Sequence, residues 1–191
     1  RERGLENFSV PSDVRSLLFG SEIASLYLQP HIGGDISLFK AIAKSLLDLS
    51  DKDPGLLDPD FITNHTRNYA EVEEDVKAES WQTLESTSGI SREEIEKTAR
   101  IYSKSKNTVF VWAMGITHHA FGVDNVQAIV NLALMRGMVG KKYAGLLPLR
   151  GHSNVQGIGS IGFTPQLKKA VLDNLESKFP VTLPRQPGLD T

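Results

Sequence analysis

"TVFVWAMGITHHAFGVDNVQAIVNLALMRGMVGKKYAGLLPL", residues 108 to 149, decides the fold. Its opening, "TVFVWAMG" (108 to 115), is a β-rich apolar run, and "ITHHAFG" reads as a loop. Val123, Val126, Val130 and Ala133 then recur at helical spacing and mark a helix ending near Gly140, with Lys141 and Lys142 suited to its negative C-terminal end. "GLLPL" (145 to 149) follows as another strand. Strand, loop, helix and strand in this order close as a parallel crossover, which puts the chain in the α/β class.

Upstream, a similar arrangement is predicted. "ASLYLQ" (24 to 29) reads as a strand, broken by "PHIGG" with Pro30, Gly33 and Gly34. Asp35 suits an N-cap, and Ile36, Phe39, Ala43, Leu46 and Leu47 form one apolar helical face. Residues 50 to 107 look helical. Asp58 with Pro59 opens one helix bearing Phe61, Ile62 and His65, "SWQTLESTS" forms another that stops at Gly89, and Ser91 with Glu94 makes a capping box ahead of a stripe of Ile95, Ala99 and Tyr102. Beyond residue 157, "GIGSIGF" is loop-like, Leu167 to Phe179 suits a short amphipathic helix, and the proline-rich end reads as a tail. Three strands are few for a parallel sheet, whose faces both need cover, so further strands are expected upstream of this sequence.

Composition excludes several classes. The 191 residues are 40% hydrophobic and 23% charged, as in a globular domain. A net charge of -2, with no basic stripe interleaved with aromatics, argues against nucleic acid as a partner. Without cysteine the chain itself offers no disulfide, thiolate metal site or iron-sulfur cluster. No apolar run approaches the roughly 20 residues of a membrane span and nothing near the start resembles a signal peptide, so the expected location is the cytoplasm. The first residues, "RERGLENF", contain no initiator Met, and the chain is read as a fragment.

Four features bear on chemistry. The glycine turns ahead of the two helices would place free N–H groups where parallel strands end, a setting that favours an anionic ligand, although such glycines also serve simply to turn the chain. "GIGSIG" matches G-x-G-x-x-G but does not directly follow the strand and has no acidic residue ending a later strand, so it is not a dinucleotide fingerprint. His31, His118 and His119 lack the spacing of a zinc site, and no metal ligand is assigned. "RGHSNVQG" (150 to 157) is the fourth: five hydrogen-bonding side chains around two glycines exceed what a turn requires, and Arg150 offers a fork suited to carboxylate or phosphate.

The stretch from 111 to 157, "VWAMGITHHAFG" through "AGLLPLRGHSNVQG", resembles the molybdopterin oxidoreductases, specifically the formate dehydrogenase-like alpha subunits. The likeness extends more loosely to "IGGDISLFKAI" and "WQTLESTSGISREEIEKTARIY". The resemblance implies a partial Rossmann-like parallel sheet with a helical insertion, inside a dimethyl sulfoxide reductase-type multidomain fold. Residues 1 to 152 would be the C-terminal part of a domain binding molybdopterin guanine dinucleotide, and 153 to 191 the start of the next domain or a linker. The implied cofactor is bis(molybdopterin guanine dinucleotide) with Mo or W, and an iron-sulfur cluster is implied in the missing N-terminal part. Gly33, Gly34 and Asp35 would lie near a guanosine, Met114, Gly115 and His118 near a pterin, and Gly151, His152 and Gln156 on the metal side. Arg150 would hold a small anionic substrate, with His152 beside it as the second catalytic residue. Implied partners are that substrate, the rest of the polypeptide and an electron-transfer subunit. Formate dehydrogenases carry glutamine where this chain has His118 and His152, which points away from formate. Two other readings stay open: a non-catalytic nucleotide-binding or assembly module of the same fold, and a nicotinamide-binding Rossmann domain.

Overall fold

A computed structural model describes residues 6 to 188. The chain divides after Pro148 into two compact units. The first contains β1 (Asn7–Phe8), α1 (Val14–Phe19), β2 (Ser21–Glu22), α2 (Asp35–Ser50), α3 (Pro59–His65), α4 (Tyr69–Ala78), α5 (Trp81–Ser88), α6 (Arg92–Lys104), β3 (Val109–Trp112), α7 (Met114–Thr117), α8 (Gly122–Met135) and β4 (Gly145–Pro148). The second contains α9 (Val155–Ser160) and α10 (Lys169–Lys178). The protein is thus mixed α and β, mostly helical.

The predicted crossover is present. β3 and β4 pair in parallel, Val109 opposite Gly145 and Trp112 opposite Pro148, with α8 between them in sequence. Alternation along the strands turns Phe110 and Leu146 toward the core while Val109, Val111 and Leu147 stay exposed. β1 and β2 form a separate two-residue antiparallel ladder.

Helix α2 is the centre of the first unit and packs against α4, α5, α6 and α8. Leu38, Ala41, Ile42, Leu46 and Leu47 are buried on it, meeting Leu84 of α5, the α6 stripe of Ile95, Ala99 and Tyr102, and Leu132 and Ala133 of α8. The surrounding helices start where their caps dictate. Asp58 accepts from Phe61 N–H at 2.9 Å with Pro59 at the first helical position. Ser80 accepts from Thr83 N–H at 3.0 Å, and Ser91 Oγ accepts from Glu94 N–H at 3.4 Å while its hydroxyl donates to Glu94 Oε2 at 2.8 Å. Gly89, at φ 73°, closes α5.

Several sequence-based expectations are corrected. "ASLYLQ" forms no strand: Leu26, Tyr27 and Leu28 are half-buried, yet among the described residues their backbone joins no ladder, and β propensity alone does not make a strand without a neighbour. Asp35 is the first helical residue of α2 rather than its cap, which is Gly34. Helix α8 ends at Met135, so Lys141 and Lys142 lie beyond its last turn. Its buried side carries Asn125, Ile129, Leu132 and Ala133, while Val123 is exposed. His65 is exposed, its ring centroid 5.1 Å from that of Phe61. "GIGSIG" lies mostly in α9 rather than in a loop. The proline-rich end is pinned within its own unit, where Leu183 N–H donates to Glu176 at 2.8 Å and Arg185 pairs with Asp173 at 2.7 Å.

Two contacts lock the first unit. Arg136, just past α8, donates to the carbonyls of Leu56 (3.1 Å), Ser103 (2.9 Å), Ser105 (3.1 Å) and Tyr102, satisfying the last turn of α6 while its guanidinium stacks 4.8 Å from the Tyr102 ring. Tyr102 in turn donates to Leu132 O at 2.8 Å and meets Phe110 edge-on at 5.5 Å. At the other end, a Cβ on buried Gly34 would stand 2.7 Å from Thr87 O and 3.0 Å from Ser88 Cα.

Replacing Arg136 with Lys, which cannot reproduce the fork, is expected to destabilise the protein by about 2 to 4 kcal/mol, read as a lower urea midpoint at unchanged slope. Gly34→Ala should cost about 1 to 3 kcal/mol by forcing backbone apart, measured in the same way. Burial pushes the Tyr102 phenol above its ordinary 10.0, against the pull of Arg136. The folded state therefore keeps a proton that the unfolded chain loses, so stability should fall as pH rises past about 10, and Tyr102→Phe should flatten that fall in alkaline denaturation curves.

Candidate functional site

The turn before α2 and the loop before α8 meet. Gly33 adopts φ 82°, a left-handed conformation that favours glycine, and the atoms facing its Cβ position are those of the His119 ring, with Nε2 at 3.2 Å. His31 anchors the turn from the other side: its N–H donates to Ser88 O at 2.8 Å, its carbonyl accepts from Gly34 N–H at 2.9 Å, and its ring covers Gly89. Packing and backbone bonds thus fix the Gly33–Gly34 turn.

His119 is held as firmly. Its Nδ1 accepts the Phe121 N–H at 3.0 Å, so the neutral ring carries its proton on Nε2, the atom turned toward Gly33. Behind it, buried Asn125 donates to Ile116 O at 3.0 Å and ties the loop to α8. The loop after β3 is a single helical turn in which His118 N–H donates to Met114 O at 2.7 Å. Met114 is 40% exposed, His118 is exposed, and a Cβ on Gly115 would meet no atom within 4 Å. Of the residues singled out in the first unit, Gly33 meets the loop after β3 through His119, not through Met114 or His118, while Gly34 packs on Thr87 and Ser88. The pairing of two adjacent histidines hid this. The available signal was the i to i+2 spacing of His119 and Phe121, which lets a side-chain acceptor close a turn on the backbone.

Asp35 sits half-buried in the first turn of α2. The α2 cap has no side-chain hydrogen bond, and the first intrahelical bond runs from Leu38 N–H to Gly34 O. The N–H groups of Asp35, Ile36 and Ser37 therefore point out of the helix start. Among the described residues, the Asp35 carboxylate makes no ion pair.

In the second unit, Arg150, Gly151 and His152 are exposed in the turn leading to Asn154, a left-handed residue at φ 57° that caps α9, and Gln156 is exposed in the first turn of that helix. Among the described residues the side chains of Arg150, His152 and Gln156 take no hydrogen-bond or ion-pair partner. Their donors and acceptors are therefore available to a ligand, whereas the His119 ring is committed on one side. Among the described residues no three His, Asp or Glu side chains cluster to hold a metal, and no helix is long and apolar enough to cross a membrane.

No family profile matches the chain. It is 40% identical to the protein YdeP of Escherichia coli over 98% of its own length and 26% of that protein's. It is 34% identical over its whole length to an uncharacterised oxidoreductase of Mycobacterium tuberculosis, covering 25% of it. It is 30% identical over 76% of its length to formate dehydrogenase H of Escherichia coli, covering 20% of it. The chain thus spans about a quarter of the length of the first of these relatives. By the last two similarities the chain belongs to the formate dehydrogenase-like oxidoreductases.

Proposed function

We propose that the chain is part of the catalytic subunit of a molybdopterin-dependent oxidoreductase, in a dimethyl sulfoxide reductase-type multidomain fold, that binds bis(molybdopterin guanine dinucleotide) and orients a small anionic substrate. The reading places residues 1 to 152 in a dinucleotide-binding domain and 153 to 191 at the start of the next. The observation that carries it is the meeting of Gly33 and His119, which joins the turn before α2 to the loop following a parallel strand, the usual side for a nucleotide in such sheets.

The residues present fit the dinucleotide. Gly34 is buried with no room for a Cβ and Gly33 keeps its backbone bare, so a flat base can approach the turn closely. The Asp35 carboxylate is an acceptor only, and its charge disfavours a phosphate at the same point. The donor-rich edge of guanine, with its ring N–H and amino group, suits it better. His119 Nε2–H adds a donor beside Gly33. The exposed Met114 and His118 would face the pterin, and Gly151 and Gln156 the metal side. Arg150 would grip a substrate carboxylate with two parallel N–H groups, and His152 would hold or move a proton next to it. When bound, the metal supplies the two-electron redox chemistry, and the chain supplies position and charge. An iron-sulfur cluster elsewhere in the longer polypeptide and an electron-transfer partner complete this reading, in a cytoplasmic setting, with a substrate other than formate.

The full-length protein should copurify with Mo or W and release a pterin on acid treatment. Metal analysis that finds neither, on protein matured in a cell making the cofactor, overturns the proposal in favour of a non-catalytic module. Asp35→Ala should lower retained guanine nucleotide through an affinity loss of about tenfold, while Arg150→Lys should leave metal and pterin content intact and raise KM by about tenfold or more.

A further inference from the structure

Three helices each turn one stripe toward a shared cavity of about 280 Å³, which adjoins those loops at Ile36 and Asp124. Helix α2 contributes Phe39 and Ala43, α4 contributes Val72 and Val76, and Met135 of α8 completes an apolar floor. Ala43, Val76 and Met135 are themselves buried, so this floor is continuous with the core. Polar groups gather on the other lining positions, where Glu71 and Asp75 of α4 and Asp124 of α8 supply three carboxylates and Lys40 of α2 the single cation.

That cation is already engaged. Lys40 Nζ lies 2.8 Å from Asp75 and 3.5 Å from Glu79, with its side chain only 17% exposed. Next to it, Lys44 donates to the carbonyls of Lys77 (2.7 Å) and Glu79 (2.9 Å), which fastens the end of α4 to α2 and keeps the cavity walls in place. Glu71 and Asp124 remain without an ion partner among the described residues. Both stand in the first turns of their helices, where a carboxylate is favourable in any case. A helix dipole accounts for that placement. It does not account for an apolar hollow at the same opening.

We propose that this cavity is a binding site for an aliphatic ammonium ion, with the hydrocarbon stem on the Phe39, Val76 and Met135 floor and the charged head between Glu71 and Asp124. Size and charge select this class. The volume sits just below the roughly 300 Å³ at which drug-sized pockets begin, so it takes a short chain and not a dinucleotide. An anionic head would face uncompensated carboxylates, because Lys40 is spent on Asp75 and Glu79, and a bare ammonium would leave the floor unfilled. The cavity borders the loops assigned to the dinucleotide at Ile36 and Asp124, but none of the residues assigned to that ligand lines it.

The test is titration of the full-length protein with n-hexylammonium at low salt, followed by calorimetry and by thermal shift. Saturable binding is expected, weakening as ionic strength rises. Hexanoate and ammonium chloride should bind at least about tenfold more weakly, since one carries the opposite charge and the other lacks the stem. Glu71→Gln and Asp124→Asn should each weaken hexylammonium binding by up to about fivefold, and Ala43→Leu, which fills the floor, should abolish it. Should Ala43→Leu fail to fold, Ala128→Leu on the opposite wall serves the same purpose. Equal affinity for hexanoate, no saturable binding of hexylammonium, or affinity unchanged in both carboxylate variants overturns the proposal. These outcomes are separate from metal and pterin content, on which the functional reading above stands or falls.

Discussion

The beginning of α2 has no room beside it. At Gly34 the backbone runs so close to Thr87 O and Ser88 Cα that a single methyl group would overlap both, and the His31 N–H bond to Ser88 O holds the strip in that place. This approach sets where the central helix starts, and therefore where its buried face meets α5, α6 and α8. It also leaves Gly33 and Asp35 on either side of a point that cannot move. A turn fixed by sterics loses little freedom when a ligand settles on it, which is how a loop becomes a rigid binding element.

At the far end of the same helical body the fixing agent is charge rather than exclusion. Arg136 gathers carbonyls from two stretches of chain, both remote in sequence from α8, and its stacking on Tyr102 carries the restraint to Phe110 on β3. The two-stranded parallel sheet has few ladder bonds of its own, so its position depends on such side-chain anchors. Its outer face, with Val109, Val111 and Leu147 exposed, is an apolar surface of a kind that parallel sheets usually cover.

What the sequence revealed and what it hid divide along the range of the interactions. Helix starts at Asp58, Ser80 and Ser91 were legible because a cap and the N–H it satisfies lie within three residues of one another. The β3–α8–β4 crossover was legible because its period changes between strand and helix. "ASLYLQ" misleads because a strand is defined by a neighbour, and the chain alone does not say whether one is there. Helix α8 misleads differently: with valines, isoleucine and leucines around much of its circumference, spacing cannot tell which side faces the core, and packing chose the side of Asn125 and Ile129. "GIGSIG" reads as a loop because glycine disfavours helix, yet the left-handed Asn154 starts a turn and a half of helix there.

The site follows the same division. Gly33, Gly34 and Asp35 were readable as a turn into a helix, but His119 was not separable from His118, since only the folded chain brings one of two neighbouring rings against Gly33. Once there, the two histidines differ in kind. His119 has spent Nδ1 on its own backbone and acts through Nε2, whereas His118, like Arg150 and His152, is exposed and takes no side-chain partner among the described residues. A committed ring is suited to holding a ligand in one pose, because its orientation does not have to be frozen on binding. An uncommitted guanidinium or imidazole is suited to a substrate that comes and goes, because its hydrogen bonds are exchanged with water at little net cost. Under the proposed function, the committed ring suits the retained dinucleotide and the uncommitted groups suit the substrate.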